Sequence, residues 1–208
     1  MPKRPPLRER KKQRTRAEII EAATRLFLDK GFDNTTVEEI AEAAEVSRST
    51  FFRYFPAKEL TVFPHNQARV EQFRQEYLQR VPGESAFVAL CRAVAAMARI
   101  FQDAREEQLI QTRIVRASPF LLGRRFQIEE AWEDSLAEGI RDRLGDDAQV
   151  DHQARMVAAA LLGMVRTTLT DWVRDGCRAD LQTMAQGFFP LIERGLDGWA
   201  PAMLEPLD

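Results

Sequence analysis

The stretch TTVEEIAEAAEVSRSTFFRYFP, Thr35 to Pro56, leaves the chain little conformational freedom. A hydroxyl followed three residues later by a carboxylate marks a helix start, and Thr35 with Glu38 and Thr36 with Glu39 both fit that pattern. Val37, Ile40, Ala41 and Ala44 then share one face of a helix of about two and a half turns. Ser47 supplies a second cap, and Phe51, Phe52 and Phe55 form the apolar face of the helix after it. Pro56 stops that helix, because a residue before proline is pushed out of the helical region. The small Ala41 and Ala44 allow another helix to approach closely.

The preceding residues supply that helix. From Thr15 to Lys30, Ile19, Ile20, Ala23, Leu26 and Phe27 recur in steps of three and four, and Gly31 suits a left-handed C-terminal cap. Three helices with a tight turn between the second and third make a helix-turn-helix. In that motif the last helix lies in the major groove of DNA with its N-terminal residues on base edges. Here those residues are Ser47, Arg48, Ser49 and Thr50, all polar donors, and Arg48 has the fork for a bidentate contact with guanine.

The segments TRAEIIEAATRLFLDKGF, TTVEEIAEAAEVS and RSTFFRYFPAKEL, in that order and at the N-terminus, resemble the DNA-binding domain of the TetR family of bacterial regulators. The resemblance implies that Thr36 caps the second helix and touches a phosphate. It also implies that Arg48, Ser49 and Thr50 meet bases or the adjacent backbone, that Tyr54 and Lys58 hold phosphates, and that Phe51 and Phe55 are core. Two positions depart from the pattern. The turn of the motif commonly has glycine, and here it has Glu45, for which a positive φ costs on the order of 1 kcal/mol. The second aromatic is commonly tyrosine, whose hydroxyl reaches a phosphate, and here it is Phe52.

The net charge of −2 points to no partner, but its distribution is uneven. Residues 1–16 hold eight Lys/Arg and one Glu, residues 17–58 five cations and eight acids, and residues 59–208 seventeen and twenty-three. A solvated tail and an arm that neutralises phosphates both fit the basic segment, and the motif behind it shifts the balance towards the arm. Binding of RNA or a membrane surface through the arm alone is a further reading.

Beyond Ala57 strand signals are absent, and breaks fall at Pro82-Gly83, Pro119, Gly145-Asp146 and Gly176, which predicts a bundle of about six helices. Pro64 lies inside the expected fourth helix, AKELTVFPHNQARVEQFRQEYLQRV, and should kink it, as a hinge or as a fixed bend. RMVAAALLGMVRTTLTDWV has small residues on one side (Ala159, Ala160, Gly163, Thr167) and large ones on the other, and a last helix runs from about Ala179 to Trp199 with a bend at Pro190. The TetR resemblance implies that these last two long helices, about 151–175 and 179–199, pair with their copies in a homodimer. It also implies a small-molecule effector enclosed by the central helices. Candidate lining residues are Phe73, Met97, Phe101, Arg113, Phe120, Trp132 and Met164, with Ile114, Phe126 and Met156 beside them, although Met and aromatic residues at helical spacing are also ordinary core. The segment RIVRASPFLLGRRFQIEEAW is similar to the ligand domain of a TetR subgroup that senses fatty acyl-CoA thioesters. Arg113, Arg116, Arg124 and Arg125 there suit a phosphorylated head, and equally suit ion pairs with Glu106, Glu107, Glu129 and Glu130.

The expected chain is all-α: a basic disordered arm (1–14), an N-terminal three-helix helix-turn-helix DNA-binding domain (15–58), and a C-terminal helical ligand-binding and dimerisation bundle (59–208). The expected function is a cytoplasmic, ligand-responsive repressor, or an activator of the same fold, on a palindromic double-stranded DNA operator. No cofactor is implied. No run of eighteen apolar residues and no secretory leader is expected, so no membrane is. His65 and His152 have no metal-ligand spacing with Cys91 or Cys177, which should be reduced thiols. With no Ser-His-acid set or phosphate loop, an enzyme would need one of those cysteines as nucleophile.

Overall fold

The computed structural model describes residues 6–145 and 147–206, and among these every regular element is a helix, with one isolated bridge between Ser85 and Pro206 besides the connecting turns and loops. They divide into two compact units. One contains the residues up to His65 together with Ile110–Arg124, and the other contains Asn66–Leu109 and the residues from Arg125 onward.

The first unit opens with α1 (Leu7–Lys30), which starts eight residues before the expected Thr15. Leu, Arg, Glu, Lys and Gln are all good helix formers, and Arg14 pairs with Glu18 one turn on at 2.8 Å. The arm is therefore an exposed helical extension over Leu7–Arg14 and not a disordered tail. Residues 1–5 of the expected arm, and Asp146 of the expected Gly145-Asp146 break, lie outside the described residues. Gly31 ends α1 at φ 86°. The capping box selects the Thr36 register for α2 (Val37–Ala43): the Glu39 N–H donates to Thr36 Oγ1 at 3.2 Å, and the Thr36 N–H donates to Glu39 Oε2 at 2.8 Å. Thr35 is buried and gives its hydroxyl to the Gly31 carbonyl.

The turn into α3 (Arg48–Tyr54) closes as a Schellman motif, with Val46 N–H on Ala41 O at 2.9 Å and Glu45 N–H on Glu42 O at 3.0 Å. Glu45 takes the left-handed position at φ 53°, as its place in the motif required. Ser47 caps α3 by accepting from the Thr50 N–H at 3.1 Å. Phe55 ends the helix in an extended conformation ahead of Pro56.

Ile19, Ala23, Phe27, Ile40, Phe51 and Phe55 form the core of this unit. Phe52, expected on the same face, is 39% exposed instead, because one residue is a 100° turn and carries it off the buried stripe. The core is completed from far along the chain, by Ile114 and Val115 of α6 (Arg105–Arg116) and Leu121 of α7 (Pro119–Leu144). Ser118 Oγ donates to Asp33 Oδ1 at 3.0 Å, and Gln111 Nε2 donates to the Val62 carbonyl at 2.6 Å. The unit thus extends beyond the expected 15–58. Nothing local signals that three residues of a later amphipathic pair of helices belong to an earlier core.

The second unit holds α4 (Asn66–Leu78), α5 (Ala86–Asp103), the start of α6, the rest of α7, α8 (Ala148–Arg174), α9 (Leu181–Gln186) and α10 (Phe189–Asp197). Pro64 kinks no helix. It lies between a 3-10 turn at Lys58–Thr61 and the first residue of α4, since its missing N–H and its effect on Phe63 favour a break over a bend. Pro190 likewise sits in the first turn of α10, where no donor is needed, and the expected 179–199 helix is two helices. The α5–α6 turn at Ala104 carries neither Gly nor Pro.

Two arginines satisfy the last carbonyls of α4. Arg92 donates to Glu76 O and Gln79 O at 2.6 and 3.0 Å, and Arg143 Nε donates to Tyr77 O at 2.9 Å. In α8, Ala154, Val157, Ala158, Leu161 and Trp172 are buried, whereas Met156, Ala159, Ala160 and Thr167 are exposed. By length and composition α8 is apolar enough to cross a membrane, which the sequence reading did not anticipate, and only 22% of its apolar window is buried.

Because Leu121 is fully buried in the first unit, Leu121→Ala should cost about 2–5 kcal/mol in chemical denaturation and speed amide exchange in the Ile19–Phe27 turns of α1.

Candidate nucleic-acid interface

The polar residues of α3 are held by local contacts. Ser47 Oγ lies 2.9 Å from both Ser49 Oγ and Thr50 Oγ1, and Arg53 Nη2 lies 3.4 Å from Thr50 Oγ1. Arg48 and Ser49 are exposed and Thr50 is half-buried, so the hydroxyls form one cluster at the start of α3. Tyr54 is half-buried with the Arg53 guanidinium 5.6 Å from its ring centre. Arg48 Nε stands 2.7 Å from Glu38 Oε1 of α2, and its guanidinium carbon lies 5.3 Å from the centre of the Phe52 ring. The Glu38 contact has no sequence signal, because Glu38 is ten residues away on another helix, whereas Arg48 and Phe52 stand at the i,i+4 spacing of neighbours on one helix.

Lys58 is turned inward. Its ammonium donates to the carbonyls of Phe32 and Thr35, each at 2.7 Å, and sits 4.0 Å from the Phe32 ring centre. Burial lowers its pKa, and Asp33, Glu59 and Glu39 oppose that shift. Two of its three donors are therefore spent on fastening the α1–α2 loop, a role absent from the sequence reading. Thr36 lies exposed at the α2 start. Next to it, Glu39 pairs with Lys30, and its carboxyl is held down at about 2, first by the Lys30 hydrogen bond and then by those of Thr36.

The expected effector residues do not fall together. Phe73 and Met97 are buried and Phe101, Trp132 and Met164 half-buried, all in the apolar cluster of the second unit. The Phe73 and Trp132 rings meet edge-on at 5.7 Å, the indole N–H donates to Asn66 Oδ1 at 2.9 Å, and the Arg69 guanidinium lies 4.9 Å from the Phe101 ring centre. Arg113 and Phe120 belong to the other unit and are exposed, with Phe120 stacked on Phe32 at 5.8 Å, and Ile114 is core there. Met156 and Phe126 are also exposed. Arg125 pairs with Glu129 at 3.2 Å, so the ion-pair explanation holds for that arginine. Among the described residues of the second unit, the buried Tyr77 Oη, Gln108 Nε2 and Arg74 Nε have no hydrogen-bond partner, which the sequence did not signal. Tyr77 has its pKa raised by burial, with Arg143 opposing.

A capped short helix with an exposed polar N-terminal cluster, set by a Schellman turn against a second short helix, defines a helix-turn-helix DNA-binding protein. Residues 19–60 match the family described as bacterial regulatory proteins, tetR family, and residues 84–197 match the MftR C-terminal domain. The HTH-type transcriptional regulator TcmR of Streptomyces glaucescens is 33% identical, over 97% of this chain and 90% of its own length. Native NalD of Pseudomonas aeruginosa, the secondary repressor of the MexAB-OprM multidrug efflux pump, has a similar fold, with TM-score 0.63 at 24% identity over 88% of this chain and 97% of its own. The Bacillus subtilis transcriptional regulator FadR, solved in complex with stearoyl-CoA, aligns with TM-score 0.56 at 16% identity over 84% and 96%. The chain belongs to the TetR family of transcriptional regulators. Regulators of this family bind DNA and small-molecule effectors and act as dimers.

Since the folded Glu39 carboxyl lies below its ordinary 4.5, its contribution to stability is present above about pH 4.5 and is lost as pH falls towards about 2. Glu39→Gln should flatten that acid limb in thermal melts followed by circular dichroism from pH 2 to 6. Equal limbs in parent and variant would remove Glu39 from the acid-sensitive groups.

Proposed function

We propose that the protein is a repressor that binds a palindromic operator as a homodimer and releases it when a small apolar or amphipathic effector enters the second unit. The observation that carries this is the α3 surface, where Arg48, Ser49 and Thr50 stand on a helix fixed from behind by fully buried Phe51. In this reading Arg48 meets a guanine edge, Ser49 and Thr50 meet bases or adjacent backbone, and Thr36, Tyr54 and the remaining donor of Lys58 meet phosphates. The helical extension Leu7–Arg14 adds Arg8, Arg10, Lys11, Lys12 and Arg14 to the phosphate charge. With operator duplex in a mobility-shift assay, Arg48→Ala should cost roughly 1–3 kcal/mol at particular base pairs. Deletion of residues 1–14 should weaken every duplex and flatten the salt dependence while leaving sequence preference intact. Loss of preference with the arm would overturn the assignment of α3.

The uncovered face of α8 supports the homodimer. Met156, Ala159, Ala160 and Thr167 line it, and on α10 Leu191 is 58% exposed with Gly195 one turn on. Small residues let a second pair of helices come close, and an apolar helix left this bare in water needs a cover. Ala160→Arg should shift sedimentation from dimer to monomer and abolish binding to the full palindrome. A variant that remains dimeric would move the interface elsewhere.

For the effector, Phe73, Met97, Phe101, Trp132 and Met164 supply apolar surface, and the unpartnered Tyr77 hydroxyl and Gln108 amide are suited to its polar group. A long-chain acyl-CoA is the first ligand to test, because FadR of Bacillus subtilis was solved with stearoyl-CoA. Helices α6 and α7 each contribute residues to both units. The reactive-cysteine alternative finds no support. Burial, with Glu193 adding to it, pushes the Cys91 thiol up to about 12, and Cys177 also shifts upward through burial.

A further inference from the structure

Phe52 is the position where the family's tyrosine hydroxyl is missing, and the structure gives the ring another use. Its edge contact with Phe51 (5.5 Å, 88°) anchors it to the core, since Phe51 is fully buried. One turn back on α3, the Arg48 guanidinium lies over its face at 5.3 Å. From α2, the Glu38 carboxylate meets Arg48 at Nε, 2.7 Å away. An arginine side chain free in solvent has many rotamers and loses that freedom when it is fixed on a ligand.

Here a ring on one side and a carboxylate at Nε limit those rotamers before any ligand arrives. The contacts leave both Nη nitrogens, the pair that makes an end-on bidentate contact with guanine O6 and N7. Resting on the proposed reading of α3, we propose that Phe52 and Glu38 are positioning residues that orient Arg48 for a single guanine in each operator half-site. Specificity at that base pair then depends on a benzene face and a carboxylate that themselves touch no base. The lost phosphate contact of the motif's tyrosine is exchanged for a pre-set reader. Glu38 also has a cost, because a carboxylate beside the phosphates repels every duplex alike.

The test is selection of duplexes from a randomised pool by the full-length protein, followed by competition binding of single-base variants, for Arg48→Ala, Phe52→Leu, Phe52→Tyr and Glu38→Gln. All variants are matched to the parent in helicity and melting. Arg48→Ala should erase the preference at one base pair per half-site. Phe52→Leu and Glu38→Gln should each lower the preference at that same pair by about two- to fivefold and leave the other positions alone, the size of an exposed cation–π or ion-pair contact. Phe52→Tyr, which keeps the ring face, should retain it, and Glu38→Gln should also tighten binding to all duplexes. Full preference in both Phe52→Leu and Glu38→Gln overturns the proposal while the Arg48 reading stands. No lost preference in Arg48→Ala overturns that reading itself.

Discussion

The buried contact of Ile114, Val115 and Leu121 with Ile19, Phe27, Ile40, Phe51 and Phe55 is what the DNA-binding half of this protein depends on. Three helices from the first sixty residues bury too little apolar surface to be more than marginal alone. The missing wall comes from a stretch that begins with Ile110, more than fifty residues after Pro56. The rigidity of α3 follows from that closure, because Phe51 and Phe55 hold the helix only if the core they enter is filled. The same fifteen residues carry Arg113, Arg116 and Arg124 and no acid, so they bring positive charge as well as apolar area to the unit.

Local polar chemistry then tunes what the core has placed. The Thr36–Glu39 box and the Ser47 cap satisfy the first N–H groups of α2 and α3, which are too short to be stable by propensity alone. Lys58, with its ammonium on two carbonyls and the Phe32 ring, ties the α1–α2 loop to the turn after α3. A cation expected to face DNA is thus partly a structural brace. Arg48, Arg53 and the cations of the α1 extension remain outward, as do Arg113 and Arg116.

The second unit is built on different terms. Arg92 and Arg143 end α4 by covering its orphan carbonyls, while α5 and α8 provide about half of the apolar core. Its long helix α8 keeps one small-residue face in solvent, with Met156, Ala159, Ala160 and Thr167 exposed.

Helix positions in the first sixty residues were legible in the sequence because caps, period and proline stops are local. Thr36, Ser47, Gly31 and Pro56 act within four residues of where they stand, and Glu45 took the positive φ that its place in the turn demanded. The breaks at Gly83, Pro119 and Gly176 were legible for the same reason. Pro64 and Pro190 were misplaced because proline forbids a helix interior without saying whether the chain will bend or stop. The ligand list split between the two units because helical spacing shows which face is apolar and not which core it enters. By itself the sequence determined an all-helical chain with a capped helix-turn-helix behind a basic leading segment, whose residues from Leu7 the structure shows to be helical. Only the tertiary structure decided that Leu121 closes the DNA-binding core, that Lys58 turns inward, and that Glu38 and Phe52 flank Arg48. The Leu121, Lys58 and Glu38 contacts join residues on different elements, and side-chain packing across such distances leaves no local periodicity to read, whereas Phe52 and Arg48 are one turn apart on α3 and only the structure shows that their side chains meet.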